Sequence, residues 1–260
     1  MASDRVEVSA EAAAPVIRII TGEDISAALR DGIADFAANP VLGLFFGSVY
    51  ALGGMAVTVA ALWFDLAWMV FPAIAGFTLI GPFVAVGLYE MSRRRELGLS
   101  FTPFDILSAL FRRSGREIAT LGAGLVFVLA VWFRIAGLIY ALVFGSEVVT
   151  IDALITELVT TPQGLLFVVI GNAAGTLIAI FVFSVSVVSF PLLVDREVDF
   201  VTAIITSIRA VVENPLVMLG WAILIVAILA VAITPFFLGL FIALPILGHA
   251  TWRLYRRVVE

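Results

Sequence analysis

The sequence predicts an all-α membrane protein: six transmembrane helices in three repeated units, each a cytoplasmic amphipathic helix followed by a transmembrane hairpin. Three observations predict it. Hydrophobic residues make up 62% of the 260, charged residues only 13%, and the mean hydropathy is +1.16, which excludes an ordinary water-soluble globule. Several apolar runs reach the roughly 20 residues that a helix needs to cross a hydrocarbon core of about 30 Å, and none alternates like a membrane barrel strand. A short motif also recurs three times, as "DISAAL" from Asp24, "DILSAL" from Asp105 and "DFVTAI" from Asp199.

Residues 1–20 are acidic and alanine-rich, lack a basic stretch ahead of an apolar one, and read as a flexible tail rather than a cleaved signal. After them Ile25, Ala28, Leu29, Ile33 and Phe36 recur at helical spacing, with Arg30, Asp31 and Asp35 on the other face. Such a helix is too short and too polar to cross, and suits the membrane interface. The first span is expected from Pro40 to Phe64 and the second from Leu66 to about Met91. Phe104, Leu107, Leu110 and Phe111 form a second stripe, opposite Arg112, Arg113 and Arg116, ahead of a third span from about Ile118 to Phe144. An outer loop from about Gly145 to Gln163 leads to the fourth span, about Leu165 to Val194. The third stripe is Phe200, Ala203, Ile204, Ile208 and Val211, followed by a fifth span from Pro215 to about Ile233 and a sixth from about Phe236 to Tyr255.

The units so defined run from about 21 to 98, 99 to 194 and 195 to 260, within one membrane domain. Thr21 and Thr102 stand three places before their aspartates, the spacing of an N-cap with an acidic third residue. Arg196 occupies that place in the third unit, so its cap must differ. Asn39-Pro40 and Asn214-Pro215 follow their aspartates at the same interval; each proline suits the first turn of a new helix, where no amide donor is needed. The middle unit has Thr120 and Leu121 there instead. Repeats of one orientation are generally related by an axis along the membrane normal, which predicts a pseudo-threefold arrangement of the hairpins.

All 15 basic residues are arginine. Eleven of them fall in "MSRRRE" (91–96), "FRRSGRE" (111–117) and "RLYRR" (253–257) and at Arg196 and Arg209, all on one side if six helices are threaded in order. The opposite connections carry Asp65, Glu147, Asp152 and Glu157. The positive-inside rule then places both termini in the cytoplasm, with the arginines facing anionic lipid headgroups. Trp63 and Trp68 flank the first outer turn, and Trp252 and Tyr255 the final inner boundary, as an aromatic belt would.

The absence of cysteine and lysine excludes thiolate and Schiff-base chemistry, Cys-ligated metals and a Walker-type phosphate loop. The single histidine, His249, cannot build a haem pair, a copper centre or a metal triad, nor a serine–histidine–acid constellation beyond itself; a simple interfacial hydrogen bond is its expected role. No catalytic residue, cofactor, metal or nucleic-acid partner is expected. Arg134 lies deep in the third span, where arginine costs about 2.5 to 3.5 kcal/mol unless it faces protein or water. It is read either as an anion or gating residue in the bundle interior, with Asn172 of the fourth span in reach, or as a helix-gluing arginine that snorkels outward or bonds Asn172. Glu90 is expected to pair with Arg93 or Arg94 at the surface, a proton relay being the alternative. Gly43, Gly47 and Ala51, and Gly171, Gly175 and Ala179, form small-residue rows suited to close helix packing. Pro72, Pro82, Pro191, Pro235 and Pro245 lie within or beside spans, as in interrupted transport helices and in inert bundles alike.

At "GPFVAVGLYEMSRRRELG" (81–98), "SFPLLVDREVDFVTAIITSIRAVVENP" (189–215) and "GHATWRLYRR" (248–257) the chain resembles a bacterial family of predicted integral membrane proteins with a domain of unknown function, over roughly residues 20 to 258. The resemblance implies no activity. Some members are labelled putative cytochrome c oxidase, but a haem-copper oxidase needs several intramembrane histidines, and this chain has one. Two functional classes stay open: a non-enzymatic accessory, assembly or scaffold protein for a membrane complex, such as a respiratory one, and a small-solute or anion transporter with a site near Arg134.

Overall fold

The computed structural model describes residues 15–64, 66–108, 115–145 and 151–260. Of the expected features, Asp65, Leu110, Phe111, Arg112, Arg113, Glu147 and most of the tail lie outside these residues. The described chain is helical: α1 (Gly22–Ala38), α2 (Pro40–Trp63), α3 (Val70–Leu79), α4 (Gly81–Val84), α5 (Val86–Glu96), α6 (Pro103–Ser108), α7 (Gly115–Phe144), α8 (Ile151–Thr160), α9 (Pro162–Ser186), α10 (Ser189–Asp195), α11 (Phe200–Glu213), α12 (Pro215–Ile233) and α13 (Leu240–Val258).

Among the described residues, four stretches are long and apolar enough to cross a membrane: α2, α7, the continuous run Pro162–Asp195 through α9 and α10, and α12. Their exposed surface is aliphatic and aromatic, with Phe45, Leu52, Phe127, Leu142, Leu177 and Ile223 among the exposed side chains, as lipid contact demands. The second and sixth expected spans take a different form. Between Ala67 and Glu96 the chain is a 3-10 turn and three helices, broken beside Pro82, whose ring has no N–H to continue the preceding ladder. The sixth helix starts at Leu240 rather than Phe236, because Phe236 and Phe237 adopt left-handed backbone angles in the turn after Pro235. Its second half carries Arg253, Arg256 and Arg257 into a polar surround. The loop expected between the third and fourth spans holds a helix of its own, α8.

The helix boundaries follow local chemistry. Thr102 and Asp105 form the reciprocal cap expected of the second unit: the Thr102 amide donates to Asp105 Oδ2 at 2.8 Å, and the Asp105 amide to Thr102 Oγ1 at 3.3 Å. The Thr21 amide likewise donates to Asp24, at 2.8 Å. In the third unit Asp199 is itself the cap, accepting from the Thr202 amide (2.9 Å) and hydroxyl (2.6 Å), so α11 begins later relative to its aspartate than α1 or α6 does. These bonds to the charged form hold the Asp199 carboxyl below the usual carboxylate range.

Both asparagines end an amphipathic helix and precede a proline, with nearly the same backbone angles (φ −141°, ψ 61° at Asn39; φ −128°, ψ 50° at Asn214). Residues 15–20 run extended rather than loose: Ile17 forms an isolated antiparallel bridge with Val259, and Asn214 Oδ1 accepts from the Ile20 amide at 2.8 Å.

The buried side chains concentrate toward the arginine-rich end. Phe190, Leu192, Leu193, Met218, Trp221, Trp252, Leu254 and Tyr255 form the centre of the largest core. Trp252 and Tyr255 are therefore interior residues and not the inner aromatic belt expected of them: Trp252 Nε1 donates to Glu96 (3.1 Å) and the Tyr255 hydroxyl to Asp195 (2.7 Å). α13 is the hub, closely packed on α1 and α2. A Cβ on Gly32 would lie 2.6 Å from the Ala250 backbone nitrogen, and one on Gly47 2.5 Å from the Phe241 carbonyl oxygen, so helix backbones touch at both places. The second row is not such a seam, because Gly171 faces open space and Ala179 is exposed.

Candidate functional site: a buried ion-pair layer

At its arginine-rich end the protein interleaves carboxylates and guanidiniums from α1, α5, α10 and α13. The centre is Asp35, only 3% exposed. Arg253 grips it with two parallel bonds, Nε to Oδ2 and Nη2 to Oδ1, each 2.8 Å, and Arg95 adds an ion pair at 3.0 Å. Ser92 Oγ donates its one proton to Asp35 Oδ2 at 2.8 Å. Its 2.7 Å contact with His249 Nδ1 therefore has the ring as donor, which fixes the tautomer. The buried His249 Nε2 makes no hydrogen bond among the described residues.

Around this centre lie further pairs. Glu90, 1% exposed, accepts from Arg94 Nε at 2.7 Å and Arg93 at 3.5 Å. Asp195 takes Tyr255 and Arg256 (3.0 Å), and Glu96 takes Trp252 and Arg256 (3.1 Å). Asp31 holds Arg257 at 2.7 Å. The expected pairing of Glu90 with Arg93 and Arg94 is present, but in the interior and not at the surface.

Helix α1 is turned to serve this layer. Its buried residues are Ala28, Gly32 and Asp35, while Ile33 of the expected apolar stripe is exposed. The cause is α13, which lays Arg253 and Arg257 along the side of α1 that carries Asp31 and Asp35. Burying those carboxylates unpaired would cost far more than exposing one isoleucine.

Serine, histidine and aspartate thus do meet, contrary to the sequence expectation. Their order is not that of a nucleophilic triad, in which histidine stands between acid and serine. Here the serine stands between, and its oxygen is engaged on both sides.

Arg134, read as an interior anion or gating residue or as a helix-gluing arginine that snorkels outward or bonds Asn172, is on the exposed face of α7. The buried face of α7 passes through Trp132, Ala136 and Tyr140, and a residue two places from Trp132 lies about 200° around the helix. Asn172 is also exposed, and its amide donates to the Val168 carbonyl of its own helix at 2.8 Å. The structure does not bring the two together. Of the four singled-out polar residues, Glu90 and His249 belong to the layer and Arg134 and Asn172 do not. Sequence reading missed Asp35, Ser92, Glu96, Asp195 and Arg253 as site residues, although all but Asp35 fall within the segments that carried the family resemblance.

Comparison with known proteins bears on those segments. Residues 70–195 match the family described as "Predicted integral membrane protein (DUF2189)". This is the family that the sequence resembles, matched over a shorter stretch than the expected 20 to 258. The DUF2189 stretch spans α3 to α10 and supplies Glu90, Ser92, Arg93 to Glu96 and Asp195 to the layer. Asp35, His249 and Arg253 come from outside it. No curated protein and no solved structure matches the chain. The protein is an integral membrane protein with several apolar helices, and the match to the DUF2189 model names no activity.

Proposed function

We propose that this protein is a non-enzymatic accessory or assembly component of a bacterial inner-membrane complex, with both termini in the cytoplasm. The observation that carries the reading is the consumption of the layer's carboxylates by the protein itself: Asp35 receives Ser92, Arg253 twice and Arg95, and Glu90 receives Arg93 and Arg94. A transport path or catalytic centre needs polar groups left for its substrate. Groups spent on one another act as a rigid frame, and what such a frame presents outward is apolar surface for lipid and for other membrane helices. Arg134, the residue on which a transport site rested, is on the exposed face of α7.

The reading includes six spans in three units about a pseudo-threefold axis, with α3 to α5 and α13 as the interrupted and half-polar members. Supporting it, each unit's junction faces the segment that precedes the next amphipathic helix. Asn214 holds Ile20 ahead of α1, Asn39 shares a cleft with Leu99 to Phe101 ahead of α6, and Glu117, three places before the middle unit's Thr120-Leu121, accepts from the amide of Phe200, the first residue of α11, at 3.0 Å. Basic residues near the inner surface also attract anionic headgroups, by about 1 kcal/mol each.

The test is purification from native expression levels in mild detergent. A stoichiometric membrane partner, respiratory or assembly-related, is the expected result. A protein that purifies alone, and whose stabilisation by anions disappears in Arg134→Ala, overturns the proposal in favour of transport.

A further inference from the structure

The two Asn-Pro junctions share a backbone but not their side-chain chemistry. The buried Asn214 spends its whole amide: Oδ1 accepts from the Ile20 amide at 2.8 Å, and Nδ2 donates to the carbonyls of Arg18 (3.0 Å) and Ala210 (3.2 Å). Two of these bonds clasp one extended strand. That strand lies between Asn214 and the end of α13, where the Arg18 amide donates to the Val258 carbonyl (2.8 Å) and the Glu260 amide to the Val16 carbonyl (3.1 Å). Asn39, by contrast, makes no side-chain hydrogen bond among the described residues. It lines an open cleft of about 390 Å³ whose other walls are Ala38, Arg95 and the residues just past α5, Gly98 to Phe101. The cleft stands where the strand stands at the other junction, between the asparagine and the end of a polar helix.

The far wall is pinned at both sides. The Leu99 amide donates to the Arg94 carbonyl at 2.9 Å, beyond Gly98 at φ +67°, and the Thr102 amide is held by Asp105 at 2.8 Å. Only Ser100 and Phe101 lie between these anchors, too short a stretch to supply a strand to Asn39.

We propose that the Asn39 cleft docks an extended, aliphatic segment of a partner protein, held through its backbone as Arg18 to Ile20 is held by Asn214. Backbone bonding is the expected mode because Arg95 is already engaged by Asp35 and by the Ala34 carbonyl, while Leu99 and Phe101 offer apolar walls. The inference rests on the accessory reading and names one contact that such a role would use.

The probe is a fluorescein-labelled peptide with the sequence of Pro15 to Thr21, PVIRIIT, titrated by anisotropy into the full-length protein in detergent. Saturable binding is expected, weakened about tenfold or more by Asn39→Ala, as the loss of two hydrogen bonds implies. Ser100→Trp, which fills the cleft from its other wall and leaves Asn39 in place, should abolish it. Absence of saturable binding to the native chain, or binding unchanged by both variants, overturns the docking site. A stoichiometric partner without peptide binding removes the cleft while leaving the accessory reading intact.

Discussion

Asp35 shows how one buried charge organises its neighbours. It is tied to α5 through Ser92 and Arg95 and to α13 through Arg253, so its removal strands the largely buried Arg253 guanidinium and takes a partner from the more exposed Arg95. Asp35→Ala should cost on the order of 3 kcal/mol, read as a lower thermal unfolding midpoint in a fixed detergent. Asp35→Leu combined with Arg253→Met should recover a large part of that loss, because the buried pair then goes as a unit. If the double variant is as unstable as the single one, the pair is not the organising contact. At the other extreme, Asp199 is an exposed cap, and Asp199→Ala should cost about 1 kcal/mol. Its depressed pKa means that the cap's stabilisation is present above the unfolded carboxylate value of about 3.9, and fades as pH falls through the lower folded value. An acid titration of helix content should therefore differ between the native protein and Asp199→Ala above that range and converge below it.

The helices illustrate how closely sequence periodicity can be read and where it stops. Boundaries at Asn39-Pro40 and Asn214-Pro215 come from proline's missing donor and from local capping, so they are legible in a few residues. Which face of a helix is buried depends on its neighbour. On α11 the fully buried residues are the small and polar Ala203, Thr206, Ser207 and Ala210; of the expected stripe Ala203 is buried, Ile204 and Val211 pack at the edge of the core, and Ile208 is exposed, as are Val201, Ile205 and Val212. In a membrane protein an outward apolar face is stable, and the rule that apolar residues point inward gives no guidance. The two glycine rows make the same point. Gly47→Ala should destabilise by about 1 to 3 kcal/mol, since its Cβ would meet the Phe241 backbone, which cannot swing away. Gly171→Ala, in open space on α9, should be neutral or stabilising by up to about 1 kcal/mol. Unfolding midpoints measured side by side distinguish the two, and equal effects would contradict the backbone contact between α2 and α13.

For the whole molecule the testable property is topology. The chain has no native cysteine, so single cysteines report without background. Asp65→Cys and Asp152→Cys should react with an impermeant reagent from outside the cell, and Ser114→Cys only after the membrane is opened. The reverse pattern would invert the proposed orientation. Across the fold, the layer at the arginine-rich end joins α1, from the start of the chain, to α13 at its end, and the bridge between Ile17 and Val259 closes the same loop. Separating the termini should therefore loosen the layer, and deletion of residues 1–20 should lower the unfolding midpoint.

By itself the sequence determined the solvent, the helical class and the helix boundaries at Asn39-Pro40 and Asn214-Pro215, because hydropathy and capping act over a few neighbouring residues. It also held the family resemblance, in the charged segments that form the layer. The tertiary structure alone decided that Asp35 meets Arg253, that His249 is wired to it through Ser92, and that Arg134 lies outside the core. The reason is physical: periodicity states which residues share a helix face, but the partner of that face is set by the packing of helices distant in sequence. A buried charge has no stable place until that partner is known.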